Sequence, residues 1–145
     1  MMRLGRRTSL LAFSLLAGCA LTLSELRQAP PQRTATTVAE RAPLASCILS
    51  GLRAADPGTF VPRAGSLIYQ TEESATRTEI AGYGQGAGPG FVPFYILTLT
   101  TAGPRVAIES RWNWVPQIAQ EIDGQAWPII ERCAGSKIDV TPSLD

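Results

Sequence analysis

Histidine is absent from this chain of 145 residues. Histidine is the most common general base and metal ligand, so its absence excludes Ser-His-Asp triads, Cys-His pairs and histidine-based zinc sites. The sequence also has no Cys-x-x-Cys pair, and we predict no metal site and no cofactor. Catalysis would have to rely on carboxylates, yet the adjacent Glu72 and Glu73 would point to opposite faces of a strand. The chain is therefore predicted not to be an enzyme, with a carboxylate-only hydrolase as a minor alternative.

Long hydrophobic runs are also missing, because no apolar stretch reaches the roughly 20 residues of a membrane-spanning helix. A short apolar run near the N-terminus, Leu10–Leu16, follows Arg3, Arg6 and Arg7 and is followed by small residues before Cys19. A positive segment, a short apolar segment and small residues are together typical of a secretory signal.

Basic patches are the third absence. The chain has 13 basic and 12 acidic residues, and removing the three leader arginines leaves 10 against 12, a net charge of −2. The remaining arginines are scattered along the sequence rather than clustered. We therefore predict no binding of nucleic acid.

The end of the leader, Leu16-Ala17-Gly18-Cys19, resembles the lipobox of bacterial lipoproteins. The resemblance implies that residues 1–18 are a signal peptide and that Cys19 carries a thioether-linked diacylglycerol and an amide-linked acyl chain such as palmitate. Two or more acyl chains hold a protein stably at a membrane. The implied location is the cell envelope, lipid-anchored and facing the periplasm, with Ala20 favouring the outer membrane. The alternative is a secreted protein that is cleaved near Ala20 and loses Cys19.

The two other cysteines, Cys47 and Cys133, form an even pair in a compartment where disulfides persist. Each lies among apolar residues at helical spacing, so we predict a disulfide that joins the first helix of the domain to the last. In the chain-entropy account, closing so long a loop stabilises the fold by about 4.5 kcal/mol. The alternative is a pair of buried free thiols.

The chain divides into three parts. Residues 1–18 are the predicted signal peptide, residues 19–37 the lipidated cysteine and a flexible Pro- and Thr-rich tether, and residues 38–145 a single domain. A first helix is predicted from about Thr37 to Ala54, or from near Ala42 if Pro43 lies in its first turn. A second is predicted from Pro116 to Ala134, kinked or split near Trp127 and Pro128.

Between these helices, four stretches alternate with period two and are predicted as strands: residues 66–72, 76–83, 94–101 and 105–112. We therefore predict an α+β fold, with a four-stranded antiparallel sheet and both helices on one of its faces. The glycine-rich residues 82–90 would form a long hairpin connection, or alternatively a binding loop.

Aromatic residues follow the glycine-rich segment and end the last strand. We predict a partner-binding patch from four of them, with filling of the core as the alternative. They are Tyr83, Phe91, Trp112 and Trp114.

The resulting functional hypothesis is a small lipid-anchored binding or envelope-assembly module facing the periplasm. Its expected partners are the membrane, through the lipid on Cys19, and an envelope protein, a peptide or a glycan. The alternative is an inhibitor or immunity protein that acts on a secreted or periplasmic enzyme.

Overall fold

The computed structural model describes residues 22–55, 67–85, 90–112, 116–135 and 138–141. The signal peptide, Cys19 and Trp114 lie outside these residues. In chain order the elements are α1 (Leu23–Gln28), β1 (Arg33–Thr37), α2 (Arg41–Ala54), β2 (Ile68–Glu73), β3 (Arg77–Gln85), β4 (Phe91–Ala102), β5 (Arg105–Trp112), α3 (Pro116–Ala134) and β6 (Asp139–Thr141).

The strands form one antiparallel sheet in the order β2-β3-β4-β5-β1-β6. Strand β4 is the longest, with 12 residues, and most of it is buried. It turns tightly into β5 through Gly103, whose φ of 60° lies in the left-handed region that glycine adopts without strain. The first strand of the chain, β1, lies between β5 and β6 rather than at the edge of the described sheet.

The main core lies between one face of the sheet and the helices α2 and α3, and we refer to this face as the two-helix face. Alternate strand residues point into it, because successive side chains on a strand lie on opposite faces. Its fully buried aliphatic side chains come from both layers: Ile48, Leu52, Ile80, Leu97, Leu99, Ile108, Ile122 and Ile130.

A disulfide between Cys47 and Cys133 joins α2 to α3, with the two Cα atoms 5.8 Å apart. The predicted helix-to-helix crosslink is therefore confirmed. The helices approach closely beside it, since a Cβ atom on Gly51 would lie only 2.5 Å from Ile129 Cγ2. Glycine at position 51 thus allows α2 to pack directly on α3.

The opposite face of the sheet is covered in part by α1, and we call it the α1 face. Leu26 of α1 is fully buried there against Ala81 and Ile96. The helix begins with a capping box, in which the Thr22 side chain accepts from the Glu25 amide and the Glu25 carboxylate accepts from the Thr22 amide. These contacts fix a six-residue helix that is too short to be stable alone.

The predicted α+β fold of four strands and two helices is wrong, because the sheet has six strands and three helices accompany it. Strands β2 to β5 lie where the alternation placed them, but residues 23–37 of the predicted tether contain α1 and β1. In β1, Ala35 and Thr37 are buried while Thr34 and Thr36 are only partly covered. Small and β-branched residues suit such a half-buried strand, although they resemble a polar linker in sequence.

The two longer helices lie close to their predicted positions. Helix α2 has Glu40 as its N-cap and Pro43 in its first turn, which matches the shorter of the two predicted starts. Helix α3 continues through Pro128 as a single helix of 19 residues. Within the described ranges, no helix is both long and apolar enough to cross a bilayer.

Candidate functional site

A row of polar residues crosses the α1 face. Glu72, Glu79, Thr98 and Glu109 lie directly opposite one another on successive strands. Directly paired residues share one face of an antiparallel sheet, so these three carboxylates belong to one surface. Like charges in such a row repel each other unless cations separate them.

Arginine side chains provide the cations that offset the repulsion between these carboxylates. Arg27 of α1 donates from Nε to both oxygens of Glu79, at 3.0 and 3.1 Å, and from Nη2 to Glu72, at 2.5 Å. Arg77 donates from Nη2 to the same Glu79, and Arg111 donates to Glu109 at 2.8 Å. Glu79 is only 4% exposed. Hydrogen bonds from Arg27 to Glu79 raise the pKa of this guanidinium above its ordinary value, although burial opposes the shift.

A groove of about 180 Å³ opens beside these ion pairs. We call it the charged groove, and its lining residues are Arg27, Glu72, Glu73, Ser74, Arg77 and Glu79. A second cleft of about 260 Å³ shares three of these residues and extends along β2 and β3 to Leu23 and Tyr83. The Glu72 side chain is 73% exposed and that of Arg77 is 43% exposed, so both charges are accessible to a ligand.

Arginine side chains hold the buried carboxylate of the groove in place. Both oxygens of Glu79 accept hydrogen bonds from guanidinium groups, so the buried carboxylate is already occupied. Within the part of the chain that the structure describes, no cluster of three His, Cys, Asp or Glu side chains is suited to hold a metal ion. What remains is a fixed arrangement of positive and negative groups at a sheet surface.

A second polar cluster lies on the two-helix face, where α3 meets the sheet. Trp127 Nε1 donates to Asp123 Oδ1 at 2.7 Å, Tyr95 donates to the same oxygen at 3.4 Å, and Arg33 lies 3.6 Å from the other oxygen. The Arg33 guanidinium also stacks over the Trp127 ring, 4.5 Å from its centroid.

Burial dominates the titration of this second cluster. It raises the pKa of Asp123, and the contacts with Trp127 and Arg33 oppose that shift only in part. Burial likewise raises the pKa of Tyr95 well above its ordinary value, with the nearby Asp123 charge acting in the same direction. None of its side chains lines the charged groove or the second cleft. Its contacts attach α3 to strands β1 and β4.

The predicted aromatic patch is divided by the fold. Tyr83 is half-buried against the Leu26 cluster on the α1 face, and Phe91 is 60% exposed at the start of β4. Trp112 instead packs against the main core on the two-helix face. The structure therefore brings Tyr83 and Phe91 to one end of the α1 face and places Trp112 elsewhere.

The sequence provided an incomplete set of signals for the charged groove. The period-two alternation of β3 predicts that Arg77 and Glu79 share one face, but Arg27 lies in the segment predicted as a tether. The pattern Thr22-x-x-Glu25 is a capping-box signal that would have indicated a helix there. No protein-family model, curated protein or solved structure matches the chain.

Proposed function

We propose that the protein is a lipid-anchored module of the bacterial cell envelope that faces the periplasm and binds another envelope protein through the charged groove. The leader and the lipobox resemblance support the anchor at Cys19. The disulfide between Cys47 and Cys133 is consistent with export, because disulfides persist outside the cytosol.

The observation that carries the binding role is the fixed charge arrangement of the groove. Glu79 is buried and held by two arginines, so Arg27 and Arg77 are preorganised before any ligand arrives. Glu72 and Glu73 both line the groove and are exposed to solvent. Exposed charges at a binding surface mainly provide specificity and a faster encounter with an oppositely charged partner. The proposed partner segment is polar and carries basic residues that meet Glu72 and Glu73.

The backbone beside the groove favours an extended partner segment. In the described sheet, β2 pairs only with β3. Ser74 donates its amide to the Arg77 carbonyl, and pairing alternates along an antiparallel ladder, so the backbone groups of Thr71 and Glu73 point away from β3. The Tyr69 carbonyl points the same way and accepts from Arg53 at 3.4 Å. A partner strand added at this edge would run alongside the charged groove.

Photo-crosslinking in intact cells tests this proposal. A photo-reactive amino acid at Gln70 or Ser74, both exposed beside the groove, should give the same protein adduct. The same amino acid at Glu131, exposed on α3 at the other side of the sheet, serves as the control and should not give it. An adduct that forms equally well at all three positions, or at none of them, would contradict the groove as a binding site.

Charge reversal adds a second readout. Glu72→Arg with Glu73→Arg should abolish the groove adduct, whereas Glu131→Arg should leave it unchanged. If the adduct is a secreted enzyme that the protein inhibits, the inhibitor alternative replaces the assembly role.

The anchor is tested separately, by metabolic labelling with a clickable fatty acid. The wild-type protein should incorporate the label and Cys19→Ser should not. An unlabelled wild type would eliminate the lipid anchor while leaving the groove proposal open to its own test.

A further inference from the structure

Apolar side chains gather at one end of the α1 face. Ile68 is directly opposite Tyr83, and Phe91 is opposite Gln85, two residues beyond Tyr83 on the same strand. Since directly paired residues share a face and alternate residues return to it, all three side chains belong to the α1 face. Leu23, the first residue of α1, packs on the same small cluster as Tyr83. We call Leu23, Ile68, Tyr83 and Phe91 the apolar rim.

The rim is accessible to solvent. Ile68 is 47% exposed and Phe91 is 60% exposed. The other large hydrophobic residue with high exposure in the described ranges is Val38, which follows β1 near the opposite end of the sheet. The two exposed rim residues are therefore concentrated at one end rather than scattered singly, and grouped apolar exposure is typical of an interaction site.

The rim lies where the chain enters the fold from its proposed anchor. Helix α1 begins at Leu23, and its cap is Thr22. Cys19 precedes Thr22 by three residues, which span at most about 11 Å when fully extended. A lipid on Cys19 therefore leaves no long tether between the bilayer and the rim.

We propose that the apolar rim lies in the headgroup region of the membrane that holds the lipid on Cys19. The inference rests on the proposed anchor and adds an orientation to it. Tyrosine is common at membrane interfaces, and apolar side chains that enter this region gain from leaving water. The β4–β5 turn, at the other end of the sheet, then points away from the bilayer. The charged groove runs outward from the rim along β2 and β3, so a partner reaches it from the side.

The test uses the full-length lipidated protein in vesicles of phosphatidylethanolamine and phosphatidylglycerol. An environment-sensitive fluorescent amino acid replaces Phe91 in one variant and Ala102 in a matched control. Ala102 is exposed at the opposite end of the same strand. The emission of the label at position 91 should shift to the blue and be quenched by lipids that carry a nitroxide near the headgroup. The label at position 102 should show neither change.

Separate outcomes distinguish this inference from the proposed anchor. Mass spectrometry of the N-terminal peptide first establishes whether Cys19 carries acyl groups. Their absence would overturn both the lipid anchor and the membrane contact of the rim. With acyl groups present, equal behaviour of the labels at positions 91 and 102 would overturn the membrane contact alone. A blue shift at position 91 without quenching by lipid would also overturn it, because the residue would then be covered by protein. Equal melting temperatures of the labelled and wild-type proteins would show that the label has not disturbed the fold.

Discussion

Two buried carboxylates of this protein are compensated in different ways. Glu79 has two arginine partners and lies beside an open groove. Asp123 receives a hydrogen bond from the Trp127 indole, and its nearest cation, Arg33, is 3.6 Å away. The first arrangement keeps charge at a surface where a ligand can reach it. The second buries a carboxylate whose raised pKa makes it sensitive to pH.

Replacement of Asp123 by Asn should change how stability depends on pH. The ordinary pKa is 3.8, and burial raises the folded-state value, so the folded state binds the proton more tightly than the unfolded state. The stabilising contribution is complete below the ordinary pKa and is lost as pH rises through the raised value. Urea unfolding at a series of pH values should therefore show the wild type losing stability relative to Asp123→Asn in that window.

Glu131→Gln is the matched control for the Asp123 experiment, because it removes an exposed carboxylate from the same helix. Glu131→Gln should leave the pH dependence of the free energy of unfolding unchanged between the ordinary and the raised pKa of Asp123. Parallel stability curves for the wild type and Asp123→Asn would contradict a raised pKa for Asp123.

Replacement of Arg27 should destabilise the fold, because the buried Glu79 carboxylate loses one of its two arginine partners. Arg27→Met removes three hydrogen bonds to Glu79, and we expect a loss of about 1–3 kcal/mol in the free energy of unfolding. Adding Glu79→Met should recover part of the loss, because no buried carboxylate is then left with incomplete pairing. Chemical denaturation of both single variants and the double variant measures the coupling.

Arg132→Met, an exposed site on α3, is the control for the Arg27 cycle and should be nearly neutral. Additive effects of Arg27→Met and Glu79→Met would show that the two side chains do not stabilise each other.

At the scale of elements, the predictable parts of the fold are those with strong local periodicity. Strands β2 to β5 each have six or more residues, which is long enough for a local sequence pattern, and the two longer helices repeat apolar residues near period 3.6. Helix α1 has six residues and strand β6 has three, which is too few for a periodic signal. Strand β1 gains its burial from β5 and β6, which are distant in sequence, so its local composition alone did not identify it.

The same limit applies to the candidate site. The alternation of β3 correctly put Arg77 and Glu79 on one face, but the pairing of Glu79 with Arg27 depends on how α1 crosses the sheet. Aromatic composition predicted one patch, whereas register assigned Tyr83 and Trp112 to different faces. Residue types and strands were therefore accessible from the sequence, while contacts between distant elements were not.

Removal of the disulfide should weaken the contact between α2 and α3. Replacing Cys47 and Cys133 by serine frees a loop with a sequence separation of 86 residues, and the chain-entropy account predicts a loss of about 4.5 kcal/mol. Urea unfolding of the wild type with and without reductant should show a similar loss. The double serine variant should not respond to reductant, and a wild type that is equally stable under both conditions would contradict the predicted contribution.

At the scale of the whole molecule, the N-terminal segment is part of the folded domain. Strand β1 lies between β5 and β6, and the Arg111 side chain donates to the Ala29 carbonyl at 2.8 Å. The Leu26 side chain is buried against Ala81 and Ile96 on the α1 face. Residues 22–37 therefore contribute a strand, a helix and a buried side chain to the same structure.

Truncation tests whether residues 22–37 belong to the folded domain or form a flexible tether. A chain that begins at residue 38 lacks α1 and β1, which leaves one side of β5 unpaired and β6 without its neighbour. We expect it to lose cooperative unfolding and to aggregate, since exposed strand edges promote association. A chain that begins at residue 22 should unfold cooperatively. Thermal melts followed by near-ultraviolet circular dichroism compare the two, and equal melts would show that residues 22–37 are dispensable.

The position of β1 also determines when folding can finish. Ala35 pairs with Ile108 of β5 on one side and with Val140 of β6 on the other. If the chain is exported unfolded, as the proposed anchor allows, β1 leaves the translocation channel before the strands β5 and β6 that flank it. Its ladder cannot close while the C-terminal third is still in transit, so a chain that is exported unfolded is kept from completing its sheet until delivery is over.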